Sequence, residues 1–116
     1  MPHIDIDYSD RLVGADPGLD VSALVSELHP LVVERVGSVG VGKTFARSSP
    51  SYVDGATAPF AHVSVGLLPG RPQSVKNALA EDVLALLDKH LSGVPGVTYS
   101  VEVRDLDASY RLHPTH

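Results

Sequence analysis

"HIDIDY", residues 3 to 8, alternates Ile4, Ile6 and Tyr8 with His3, Asp5 and Asp7, and that period of two marks a strand with one buried face. The strand begins almost at residue one. In "VSALVSELHPLVVERV", residues 21 to 36, Val21, Leu24, Val25, Leu28, Val32 and Val36 recur at three and four residues, which predicts a helix. Pro30 lacks an N–H and is expected to bend it. Past a Gly-rich turn, "KTFARS" reads as a short extended stretch, and the order then repeats. "FAHVSVGLL" is a strand, "GRP" a turn, and "QSVKNALAEDVLALLDKHL" a helix with Val75, Leu79, Val83, Leu86, Leu87 and Leu91 in one stripe. "GVPG" ends it. "VTYSVEVRDL" closes the chain's ordered part as a strand that alternates Val97, Tyr99, Val101 and Val103.

The chain therefore reads as one domain of 116 residues made of two β-α-β halves, about 1–57 and 58–116. The leading strands "PHIDID" and "AHVSVG" even superpose, with His3 over His62 and Ile4 over Val63. Each crossover makes its two strands parallel, so the expected fold is α+β: a four-stranded sheet with both helices on one face. The other face is left bare, the alternating strands carry Tyr8, His3, His62 and other mixed residues, and a partner subunit is expected to cover it.

"GSVGVGKT", Gly37 to Thr44, has the spacing of a phosphate-binding loop. That chemistry needs a strand before the loop and a helix after it, whose N-terminus holds the anion. Here the helical pattern comes first, and "FARSSPSYVDG" downstream favours turns, so the stretch reads as a turn between helix and strand. A net charge of −5 and the lack of a long basic patch argue against a nucleic-acid partner. There are no cysteines, hence no disulfides or thiolate chemistry. "MPHIDIDYSD" lacks the basic and apolar regions of a signal peptide, and no apolar run reaches membrane-spanning length, so a cytoplasmic protein without membrane contact is expected.

"MPHIDIDYSDRL" resembles the opening of the 5-carboxymethyl-2-hydroxymuconate isomerases of the tautomerase superfamily. The likeness continues through "SELHPLVVERVG", "FAHVSVGLLPGR", the helix behind Arg71 and "VEVRDL", and so spans almost the whole chain. It implies a homotrimer, no cofactor, and an isomerase acting on an unsaturated dicarboxylate of the 2-hydroxymuconate kind, as in the catabolism of aromatic compounds. It also implies that Pro2, once Met1 is removed, is the general base and acid of an enol–keto tautomerisation.

Proline suits that role. Its nitrogen becomes a secondary amine, its ring limits its conformations, and the start of a strand can hold it in a dry pocket. An α-amino group titrates near ~7.7 to 8.0, and burial or neighbouring cations lower an amine's pKa towards working pH. Without the resemblance, Pro2 would read as the start of an edge strand, where its missing N–H costs nothing.

A dicarboxylate calls for cations. Arg71 matches the family's Gly-Arg and could bind a carboxylate with its fork. Where the family has Arg-x-Arg after the first helix, this chain has "GKTFAR", which offers Lys43 and Arg47, and Lys43 would give a point charge instead of a fork. His3 and His62 lack a partner at metal-ligand spacing, so no metal is expected, and His113 and His116 read as a loose tail. Asp5, Asp7 and Asp10 form an acidic edge, Tyr52 and Phe60 are candidate pocket residues, and Asp107, Ala108 and Ser109 stand where the family shows His-Pro-Thr. Two other readings stay open: a related decarboxylation or hydration with a protonated proline, and a non-catalytic trimeric binder if Met1 is kept, because an acylated nitrogen has no basic lone pair.

Overall fold

Ile4 and Ile6 are fully buried, and they stand opposite Val65 and Val63 at the centre of the sheet. The computed structural model describes residues 2–38 and 42–113. Its elements are β1 (His3–Ser9), a single 3-10 turn (Asp10–Leu12), α1 (Val21–Val36), β2 (Lys43–Ser49), β3 (Tyr52–Val53), β4 (Ala56–Thr57), β5 (Phe60–Leu67), α2 (Gln73–Leu91) and β6 (Thr98–Asp105). The sheet order is β2-β1-β5-β6. β1 runs parallel to β2 and β5 to β6, while β1 and β5 meet antiparallel. Each parallel pair is bridged by its own helix, as the two predicted crossovers require. Asp5 faces Ser64, and a twofold axis through that pair carries His3 onto His62 and Ile4 onto Val63.

Local signals set the helices. Asp20 caps α1 by accepting the Ala23 N–H at 3.1 Å, and Gly37 ends it at φ 60, where Ser38 N–H reaches back to Val33 O at 3.2 Å. The helix runs on through Pro30, which lies on the exposed side. Pro72 opens α2, and its carbonyl accepts the N–H groups of Val75 and Lys76. Leu24, Leu28 and Val32 of α1 and Leu79, Val83, Leu87 and Leu91 of α2 are the buried rows that pack on the sheet. Each such side chain contributes about 1.5–3 kcal/mol by leaving water. No helix among the described residues is long and apolar enough to cross a membrane.

His3, Asp5 and Asp7 point away from the helices, in rows with Lys43, Phe45 and Arg47 of β2 and with His62 and Ser64 of β5. No described element covers this face. Tyr8 packs against the core, on the side of Ile4 and Ile6 as the alternation predicts. The turn expected in "FARSSPSYVDG" is the tip of a small hairpin of β3 and β4. Asp54 (φ 53) and Gly55 (φ 79) both take the positive φ of a tight two-residue hairpin turn.

The apparent phosphate loop is split between two roles. Gly37 caps a helix and Lys43 opens a strand, the reverse of the strand-then-helix order that would aim a helix N-terminus at a phosphate. Val39, Gly40 and Val41 lie outside the described residues, as do Met1 and His116.

Candidate active site

Pro2 is buried at the start of β1. Its carbonyl accepts the Lys43 N–H at 3.1 Å, the bond that opens the parallel ladder with β2. Its ring closes on Gly42: a Cβ at that residue would stand 3.2 Å from Pro2 Cγ and 2.6 Å from His29 Cε1. Only a residue without a side chain lets the α1 imidazole and the proline ring share this space. His29 was not singled out by the sequence, since nothing in the helical stripe shows that one turn of α1 overhangs the strand end.

The cations gather at the same end of the sheet. Lys43 leads β2 beside Pro2, and its ammonium donates to the Tyr110 hydroxyl while lying 4.7 Å from the centre of that ring. Arg71 lies in the turn between β5 and α2. His3 stands opposite Gly66, so Pro2 comes level with Leu67, and the guanidinium of Arg71 donates to the next carbonyl, Leu68 O, at 3.3 Å. It also donates to Val36 O at 3.1 Å, which ties this turn to the end of α1. Two of its five N–H groups are thereby engaged. Lys76 pairs with Asp105 at 3.2 Å, next to the same strand end.

Arg47 is placed differently. It lies about 13 Å further along β2 than Lys43, and its guanidinium is held by Asp5 at 2.8 Å and Asp7 at 3.1 Å. The hydrogen bonds to Asp7 and then Asp5 push it above the usual arginine range. The structure thus brings Lys43 and Arg71 to the end of the sheet where Pro2 lies and leaves Arg47 paired on the uncovered face. Asp5 and Asp7 from the acidic edge are Arg47's partners, and Asp10 begins the 3-10 turn beyond β1.

The remaining candidates stand elsewhere. His3 lies 3.4 Å from Asp5 and 5.5 Å, ring to ring, from Phe45, and His62 shares a 2.6 Å hydrogen bond with Ser100. Tyr52 is exposed on the hairpin, and Phe60 starts β5 at the opposite end from Pro2. There the backbone N–H of Phe60 donates to the buried Ser9 hydroxyl at 2.7 Å.

A cleft of about 610 Å³ opens at that far end between Tyr8, Val13, Leu19 and the start of α1. A groove of about 310 Å³ runs between α2 and β6 at Leu84 and Tyr99. Size does not favour either for an anion. The charged groups lining the first are Asp16 and Asp20, and those lining the second are Glu81 and Asp88. A dicarboxylate would be repelled from both and attracted to the Pro2 end.

No protein-family model matches the chain, and no curated protein matches its sequence. Solved structures do match in shape. A 5-carboxymethyl-2-hydroxymuconate delta-isomerase aligns over 97% of this chain and 87% of its own at a TM-score of 0.79 and 21% identity. A 5-carboxymethyl-2-hydroxymuconate isomerase from Deinococcus radiodurans R1 aligns over 96% and 88% at 0.75 and 19% identity. A fused 4-OT, described as a wild-type symmetric trimer, aligns over 90% and 85% at 0.70 and 22% identity. The chain has the fold of these proteins.

Proposed function

We propose that this chain is an isomerase of the tautomerase kind, which interconverts the enol and keto forms of a 2-hydroxymuconate-like dicarboxylate with Pro2 as the proton carrier. The observation that supports it most is a buried proline at the head of β1 with Lys43 and Arg71 at the same end of the sheet. In this reading Met1 is removed. The neutral secondary amine of Pro2 takes the enol O–H proton, the oxygen's electrons form the carbonyl, the conjugated double bond shifts, and the ammonium returns the proton to carbon. Atoms and charge balance without any cofactor. Lys43 and Arg71 bind the carboxylates, and their charges help to keep the amine neutral near pH 7.

The protein would work as a homotrimer. The uncovered face and the exposed edge strand β2 need a partner, and one protein of the same fold is described as a symmetric trimer. Sedimentation should then give three times 12.3 kDa, and a stable monomer at micromolar concentration would remove this part of the reading.

The deciding experiment compares protein with and without Met1, checked by intact mass, on 2-hydroxymuconate followed by ultraviolet absorbance. The processed form should ketonise the enol at least ~10²-fold faster, since a general acid–base group typically contributes ~10² to 10⁴. Equal rates would show that Pro2 is not the base.

A further inference from the structure

Strand order puts β2 and β6 on opposite edges of the sheet, about 14 Å apart. Yet Lys43, the first residue of β2, is held by Tyr110, which follows β6. To make that contact the chain after Asp105 must cross the ends of β5 and of β1, the strand headed by Pro2. The crossing is fastened step by step. Leu106 N–H donates to Leu67 O at 2.7 Å, and its side chain lies over Gly66, where a Cβ would meet Leu106 Cδ2 at 2.6 Å. Asp107 then closes a turn, accepting the Ser109 N–H on its carboxylate at 2.8 Å and the Tyr110 N–H on its carbonyl at 3.0 Å. This turn is the segment in which the chain departs from the family's His-Pro-Thr, and it delivers Tyr110 to the mouth of the site.

An ammonium has three donors and no acceptor, so the Tyr110 oxygen accepts from Lys43 and the ring adds a cation–π contact. A free lysine stem would have to be ordered each time an anion binds. Fixing it beforehand removes that cost. We infer that Tyr110 is a positioning residue that holds the Lys43 ammonium as a carboxylate subsite beside Pro2, and so sets the preference for substrates with a second carboxylate. The inference rests on the function proposed above.

Calorimetry with adipate and hexanoate tests it without turnover. The unmodified sequence should bind adipate more tightly than hexanoate. Tyr110→Phe, which keeps the ring, should weaken adipate about threefold, and Tyr110→Leu about tenfold, with hexanoate changed less than about twofold. In a Lys43→Met background Tyr110→Leu should change nothing further, because the coupling runs through Lys43. Acetylation followed by peptide mass spectrometry supplies a second readout. Lys43 should react faster in Tyr110→Leu than in the unmodified sequence, while Lys89, whose ammonium is held by Glu27, should react equally in both; equal Lys43 rates would overturn the inference.

Weakening that is equal for both acids, or that persists in the Lys43→Met background, overturns the inference and makes Tyr110 a tail anchor. Adipate binding that depends on both residues, without ketonisation of the enol, upholds the subsite and overturns the tautomerase reading. Ketonisation with adipate binding indifferent to Tyr110 overturns the inference alone. Absence of adipate binding overturns the inference, and ketonisation of the enol still decides the tautomerase reading.

Discussion

Gly42 and Pro2 are packed so that a methyl group on residue 42 would lie 3.2 Å from Pro2 Cγ while colliding with His29 Cε1 at 2.6 Å. The nearer obstacle is a ring at the end of a side chain, and the farther one belongs to the residue proposed to carry the proton. Gly42→Ala should therefore cost about 1–3 kcal/mol in urea unfolding, as overpacking does, and slow ketonisation about tenfold or more if Pro2 is displaced. Gly42→Ala combined with His29→Ala should recover most of the stability. If it recovers none, His29 is not the clashing group.

Lys43 and Arg47 lie on one face of one strand but differ in position and engagement. Arg47 is occupied by two carboxylates, and Lys43 by a neutral hydroxyl and a ring. Lys43→Met should raise the KM for a dicarboxylate enol about tenfold or more, whereas Arg47→Met should raise it less than about threefold. Steady-state kinetics on 2-hydroxymuconate checks this. The opposite order would put the carboxylate further along β2, at Arg47.

Much of this arrangement was legible in the chain. Period-two alternation at Ile4 and Ile6 and the rows of Leu24, Leu28, Leu79 and Leu87 gave the strand, the helices and their common buried side, because burial on one face writes directly into sequence. The order of elements gave the parallel pairs. What stayed hidden depends on contacts distant along the chain. Tyr110 reaches Lys43 across the sheet, and His29 and Pro2 both close on Gly42 only because it is bare, and neither relation leaves a periodic trace. Asp54-Gly55 is a different case. The pair is a strong hairpin signal, but with two-residue strands on either side there was no alternation to confirm it.

Glu27 clamps α1 to α2 by accepting from both Lys89 and His90. The hydrogen bond from Lys89, opposed in part by desolvation and aided by His90, lowers its pKa below the ordinary 4.5. A depressed carboxyl stabilises the fold above its unfolded pKa, and that contribution is lost as pH falls through the folded value. Glu27→Gln should therefore melt at a lower temperature than the unchanged chain at pH 7, with the gap closing as pH falls below 4.5. Thermal unfolding across that range measures it, and a gap that stays constant with pH would mean that packing, not charge, holds the helices at this point.

Arg71 performs one task visibly and is proposed for another, and a single substitution separates them. Its guanidinium donates to Val36 O at 3.1 Å and Leu68 O at 3.3 Å, joining the end of α1 to the turn after β5, and three N–H groups are left for a carboxylate. Arg71→Ala removes both functions. Stability should fall by about 1–2 kcal/mol, since Gly37 N–H and Ser38 N–H already satisfy other carbonyls of the last turn and only the Arg71 ties are lost. The KM for a dicarboxylate enol should rise about tenfold, and that for a monocarboxylate analogue much less, because only one carboxylate loses a partner. Arg71→Lys keeps the charge but cannot span two carbonyls and a carboxylate at once, so it should recover part of the KM and little of the stability. Urea unfolding and kinetics on the two substrates give the four numbers required. Equal KM changes on both substrates, together with the loss of stability, would leave Arg71 as a tie between helix and turn and transfer the second carboxylate to another cation at the Pro2 end.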